Sequence, residues 1–259
     1  MSPFFDRPSI LALLPAALLF GAQAADRSTV VIRGVSQDIY MYPSAARSAA
    51  HGGILFAPGD GGWRGFAIAI AQTMASWGYS VCGLDTKRYL ESFTEGAGLR
   101  EADVMGDFSL LARWMTGDAK ARVILVGWSE GAGLCLLAAS GPQSRDTFEG
   151  LVTIGLGESN VLGWRWSDNL TFITRKPPKE PTFSSVGFLP KVAPLPLVMI
   201  QSSRDEYVAL DEAKKLFAFA AEPKRFILVK ANDHRFSGNQ EQFFRELRRG
   251  LEWIERTGP

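Results

Sequence analysis

The segment Gly127-Trp128-Ser129-Glu130-Gly131 has the form G-x-S-x-G. The apolar run RVILV precedes it and AGLCLLAA follows it. A strand, a sharp turn and a helix in that order form a nucleophile elbow, which tips the serine side chain into a cleft. Small flanking residues are needed where so tight a turn brings backbone against backbone. The helix N-terminus adds positive dipole potential beneath the site. A serine hydroxyl is a weak nucleophile until a base takes its proton. The chain holds two histidines. His51 precedes the first central strand, on its amino-end side. His234 follows the strand RFILVKA at its carboxyl end and is the candidate base.

An imidazole base needs an acid to hold its tautomer and stabilise its charge. The expected chain order is Ser, acid, His. Asp205, in SRDEYV after the strand PLVMIQ, fits that order. Glu206 is the nearest competitor, and Asp233 is disfavoured because side chains adjacent in sequence point apart. The oxyanion of a tetrahedral intermediate needs N–H donors. The expected donors are Glu130, after the nucleophile, and Asp60 or else Gly61 in the loop PGDGGW. Asp85, at another strand end, is expected to tie down its own loop. Trp63, Trp128, Trp164 and Trp166 are candidate substrate contacts, although the last two could equally anchor a cap to the body. Neither clustered metal ligands nor a nucleotide-binding glycine motif occurs, so no metal and no cofactor are expected.

These groups converge only if alternating strands and helices place them at one end of a sheet. Such alternation is legible. Thr29–Arg33 and Asp38–Tyr42 read as a starting hairpin. The segments 53–58, 79–85, 122–126, 151–155, 196–201 and 225–230 read as buried strands. Residues 65–77, 101–115, 130–139, 211–220 and 240–256 read as helices. The expected fold is α/β, of the α/β-hydrolase type: a mostly parallel sheet with helices on both faces, whose sites lie at the strands' carboxyl ends. Between about residues 156 and 194 the alternation breaks into a stretch with Trp164, Trp166 and prolines at 177, 178 and 181. It is read as a cap insertion over the cleft.

The 259 residues carry a net charge of +1 and 46% hydrophobic residues, enough for one substantial domain. No basic excess points to nucleic acid, and Arg245, Arg248 and Arg249 read as the solvated face of the last helix. Residues 1–24 read as a signal peptide: Arg7, an apolar run from Ile10 to Phe20, then small residues at Ala22 and Ala24 before a cut after Ala24. The domain from 25 to 259 is then expected in the periplasm or secreted, without a transmembrane segment. Cys82 and Cys135 read as a strand and a helix residue, two buried apolar side chains rather than a bridge.

The stretches FAPGDGGWRGF, GLDTKRY, GWSEGAG, SRDEYV and DHRFS together resemble the VirJ/AcvB family of bacterial virulence-associated proteins, from Gly53 through the C-terminus. The GDGGW loop is the most specific part of the likeness, and the GWRWSDN segment departs from the family pattern. The resemblance implies an exported α/β-hydrolase with Ser129, Asp205 and His234 as its triad. It further implies an ester substrate on a membrane phospholipid headgroup, the AcvB-type members being lysyl-phosphatidylglycerol hydrolases. A generic periplasmic carboxylesterase and a non-catalytic virulence or assembly factor on a hydrolase scaffold are the alternatives. The carboxylates Asp60, Glu130, Glu158 and Asp168 near the expected mouth would suit a cationic substrate group.

Overall fold

The computed structural model describes residues 25–45, 51–94, 98–118, 121–165 and 180–258. The expected leader, Trp166 and Asp168 lie outside the described residues. β1 (Asp26–Ile32) and β2 (Val35–Tyr42) form the starting hairpin, and β2 then pairs antiparallel with β4 (Ser80–Leu84). The remaining strands run parallel: β3 (Gly53–Ala57), β5 (Val123–Trp128), β6 (Phe148–Ile154), β9 (Leu197–Ser202) and β10 (Lys224–Val229). The eight-stranded order is β1-β2-β4-β3-β5-β6-β9-β10, with β3 and β5 at the centre.

A central parallel strand must be apolar on both sides. In β5, Ile124, Val126 and Trp128 enter one core while Val123 and Leu125 enter the other. The first core is covered by α1 (Phe66–Ser76) and by the last helix, whose Phe243, Leu247, Leu251 and Ile254 follow helical spacing. The second lies under α2 (Thr86–Thr94), α3 (Glu101–Thr116) and α4 (Glu130–Ala139). A short α5 (Ser144–Thr147) leads into β6, and α6 (Leu210–Phe219) and α7 (Gln240–Thr257) complete the helices named here. α2 has no counterpart among the helices expected from the sequence.

The irregular region after β6 contains a two-stranded ribbon, β7 (Ser159–Val161) with β8 (Thr182–Ser184). Its flanks are pinned to the body. The Trp164 N–H donates to Thr94 Oγ1 at 2.7 Å and Arg165 Nη2 to the Thr94 carbonyl at 3.3 Å, while Arg165 and Glu180 pair with each other at 2.6 Å.

Candidate active site

β5 delivers Ser129 with φ 57° and ψ −127°, a positive φ for a residue with a side chain. Such backbone costs of order 1–3 kcal/mol and persists only where its surroundings over-determine it. Here they do. The Ser129 N–H donates to the Ile154 carbonyl at 2.9 Å, and Ala132 N–H donates back to the Ser129 carbonyl at 2.8 Å. A Cβ at residue 127 would lie 2.4 Å from the Gly131 carbonyl oxygen, and one at residue 131 would lie 2.0 Å from that of Ala57. Both flanking positions therefore demand glycine, and the contacts press the first turn of α4 onto the β3–α1 loop. In that loop, a Cβ at residue 59 would stand 3.3 Å from Ser129 Oγ. Asp60 and Gly61 follow directly.

His234 sits in the β10–α7 loop, 4% exposed. Its Nδ1 bonds Asp205 Oδ2 at 2.7 Å. The other ring nitrogen, Nε2, is buried without a hydrogen-bond partner, so Ser129 Oγ and Nε2 are not bonded in this structure. The imidazole is confined on its remaining sides. Trp128 stacks on it with ring centroids 5.7 Å apart, and Tyr207 meets it edge-on at 5.3 Å. Gly155, at φ 63°, lies so close that a Cβ there would be 2.4 Å from His234 Cε1. Since Ser129 hangs from Ile154 and the imidazole rests on Gly155, consecutive residues of one strand end hold both groups.

The three competing acids divide the work. Asp205 Oδ1 accepts from the N–H groups of Tyr207 (2.9 Å) and Val208 (3.0 Å), while Oδ2 faces the imidazole. Burial pushes its carboxyl up, but the His234 bond and charge and the two loop N–H groups outweigh that, leaving it below the usual range. Glu206 accepts the His234 backbone N–H at 2.8 Å and so holds the loop rather than the ring. Asp233 accepts from the N–H groups of Arg235 and Ser237, both at 2.9 Å, stabilising its own turn. His51 lies elsewhere, bonded to Glu255 at 2.8 Å and stacked on Tyr79.

Two further carboxyls crowd the elbow. Burial raises Asp60, against the pull of His234, nearby N–H groups and Lys87. Glu130 is pushed up to about 7 by burial and then by Asp60, although the Val161 N–H donates to its Oε2 at 3.3 Å. Asp85 accepts from the N–H groups of Trp63 and Arg88, both at 3.2 Å, so it ties the GDGGW loop as well as its own.

Three of the four tryptophans named as candidate substrate contacts lie among the described residues. Trp63 stacks on Tyr40 at 4.7 Å and fills the space over Gly83, where a Cβ would be 1.8 Å from its ring, so it braces the sheet edge. Trp128 is buried beneath His234, and Trp164 is buried in the core under the ribbon. Tyr207, 60% exposed, is an aromatic ring that both touches the imidazole and faces solvent, and the sequence assigns it no role. Its only signal was its place two residues after the candidate acid.

Comparison with known proteins bears on the fold. The esterase domain of a Rhodothermus marinus protein superposes with TM-score 0.62 at 18% identity, over 91% of this chain and all of that one (100%). A membrane phospholipase A, described as a novel bacterial virulence factor, superposes with TM-score 0.65 at 14% identity, over 90% of this chain and 87% of that one. These likenesses establish the α/β-hydrolase fold. In sequence, the uncharacterized protein YfhR of Escherichia coli K12 is 30% identical over 69 residues, 26% of this chain. The matched stretch spans only 24% of YfhR. Residues 53–157, which contain both the GDGGW loop and the Ser129 elbow, match VirJ, the family described as bacterial virulence protein.

Proposed function

We propose that the protein is a serine hydrolase acting on carboxylic esters, with Ser129 as nucleophile, His234 as base and Asp205 as its orienting acid. The observation that carries this reading is the buried His234–Asp205 bond, with Nε2 left open beside the elbow. In this reading the Ser129 hydroxyl turns toward the open Nε2 before it reacts. The alkoxide forming on Ser129 attacks the ester carbonyl while His234 takes the proton. Asp205 stabilises the imidazolium, and the Glu130 N–H with that of Asp60 or Gly61 receives the oxyanion. One such donor contributes roughly 3 kcal/mol to lowering the barrier. Collapse expels the alcohol, protonated by His234, and water then releases the acyl group by the same steps in reverse roles.

Within this class, an aminoacyl ester of a phospholipid headgroup is the proposed substrate. The family likeness supports it, as does the Asp60 carboxyl in the loop beside Ser129, which suits an ammonium group. The region from 156 to 194 is proposed as a cap, and the apolar leader supports export, with N-terminal sequencing of the mature chain as its check. No helix among the described residues is long and apolar enough to cross a membrane.

A fluorophosphonate probe tests the chemistry. Wild type should label and Ser129→Ala should not, while Asp205→Asn should label about 10^4-fold more slowly. Absence of labelling on folded wild type would return the protein to a scaffold role. The finer claim is read from membrane lipids of a deletion strain, where aminoacylated phospholipid should accumulate; unchanged lipids remove that substrate and leave the hydrolase.

A further inference from the structure

Gln201 lies on β9, four residues before Asp205, and is 2% exposed. An amide so enclosed must find its partners inside the protein. Its Nε2 donates to Asp205 Oδ2 at 3.2 Å and to the Val208 carbonyl at 2.9 Å. Those acceptors are the two ends of the 205–208 turn, so a single side chain on the rigid strand closes the turn that carries the acid. The bond also completes the carboxylate. Oδ1 receives the N–H groups of Tyr207 and Val208, and Oδ2 receives Gln201 on one side and His234 Nδ1 on the other. With each oxygen accepting twice, the carboxylate cannot turn without breaking a bond.

We infer that Gln201 is a positioning residue for the His234–Asp205 pair: its amide fixes the oxygen that faces the imidazole and locks the loop behind it. The inference rests on the triad reading above. An aliphatic side chain of similar length would leave Oδ2 with the imidazole as its sole partner. The carboxylate would then bond the Nδ1 proton more strongly, favouring imidazolium, while losing its fixed direction.

The test is the rate of fluorophosphonate inactivation against pH for wild type, Gln201→Met and Gln201→Glu. Gln201→Met should inactivate about 10- to 100-fold more slowly, the range expected for a bond to a charged group. Its saturation constant for the probe should stay unchanged, and the acid limb of its profile should move to higher pH. The Nδ1 proton resonance of His234 should shift as well. Gln201→Glu keeps the side chain's length and should move the limb further by setting a second carboxyl against Asp205, and circular dichroism with a denaturant melt checks that each variant is folded. A slower rate with limb and resonance unmoved, or wild-type behaviour in the folded variants, overturns the positioning role. Failure of wild type itself to label removes the triad reading and this inference with it, so the two failures are told apart.

Discussion

At the scale of single residues the site is defined by what is excluded as much as by what is bonded. Gly155 is the clearest case. Its φ of 63° is a conformation that side chains rarely adopt, and an added Cβ would stand 2.4 Å from His234 Cε1, 2.9 Å from Nδ1 and 3.4 Å from Asp205 Oδ2. The contact involves backbone on one side and a ring trapped by Trp128 and Tyr207 on the other, so little can yield. Gly155→Ala should cost about 1–3 kcal/mol in unfolding free energy through backbone strain. It should also slow probe labelling by about 100-fold, because displacing a catalytic group by roughly 1 Å has that effect. A destabilised protein that still labels at the wild-type rate would show that the imidazole beside Gly155 is not the base. Residue-scale legibility was uneven for a physical reason. Ser129, Asp205 and His234 announce themselves because each follows a strand, and strand ends are visible in the pattern. Gln201 gave no sign, because within PLVMIQ it is one more strand residue, and its role exists only once the 205–208 turn folds back over it. The packing of Trp63 was not legible either: its neighbours in sequence are the GDGGW loop, while its neighbours in space are Tyr40, Tyr42 and Gly83 on strands paired from elsewhere.

At the scale of elements the elbow and the ribbon are linked through Glu130, whose carboxyl accepts the Val161 N–H. Burial raises that carboxyl from an ordinary 4.5 to about 7. An acid raised on folding holds its proton in the native state after the unfolded chain has released it. Below pH 4.5 both states are protonated and Glu130 costs nothing; from there to about 7 stability falls as pH rises, and above 7 the penalty is constant. Glu130→Gln keeps an acceptor for Val161 and never ionises. It should stabilise the protein at pH 8 relative to its effect at pH 4, by up to about 3 kcal/mol in denaturant melts. An equal effect at both pH values would mean that Glu130 is ionised without penalty. The ribbon itself makes a second prediction. Since Arg165 pairs with Glu180 beside the ribbon, Glu180→Ala should lower the unfolding free energy by up to about 1 kcal/mol. Ser129 labelling should survive that substitution, and an unchanged denaturant midpoint would show that the pair contributes nothing to the fold. The ribbon was not legible because strands this short show too little alternation to register. α2 escaped for a related reason: Tyr89, Leu90 and Phe93 are its main inward anchors, within a mostly polar nine-residue stretch.

At the scale of the whole molecule the sheet separates two apolar layers, and both cysteines belong to the same one. Cys82 on β4 and Cys135 on α4 are fully enclosed, and neither is bridged. Burial pushes the Cys82 thiol up to about 12 and the Cys135 thiol higher still. The reactive thiolate is therefore scarce, and no reagent reaches the sulfur while α4 lies on the sheet. Because α4 begins directly after Ser129, any opening that exposes Cys135 also dismantles the turn that holds Ser129. Thiol modification thus reports on the integrity of the site. Ellman's reagent should leave the native protein untouched and titrate both thiols in denaturant, with a midpoint matching the loss of helical circular dichroism. A reducing agent should leave the melting temperature unchanged, since there is no bridge to break. If Cys135 reacts at denaturant concentrations where the helical signal is still intact, the α4 layer opens on its own. The strained φ of Ser129 would then be maintained by a local equilibrium rather than by the fold as a whole.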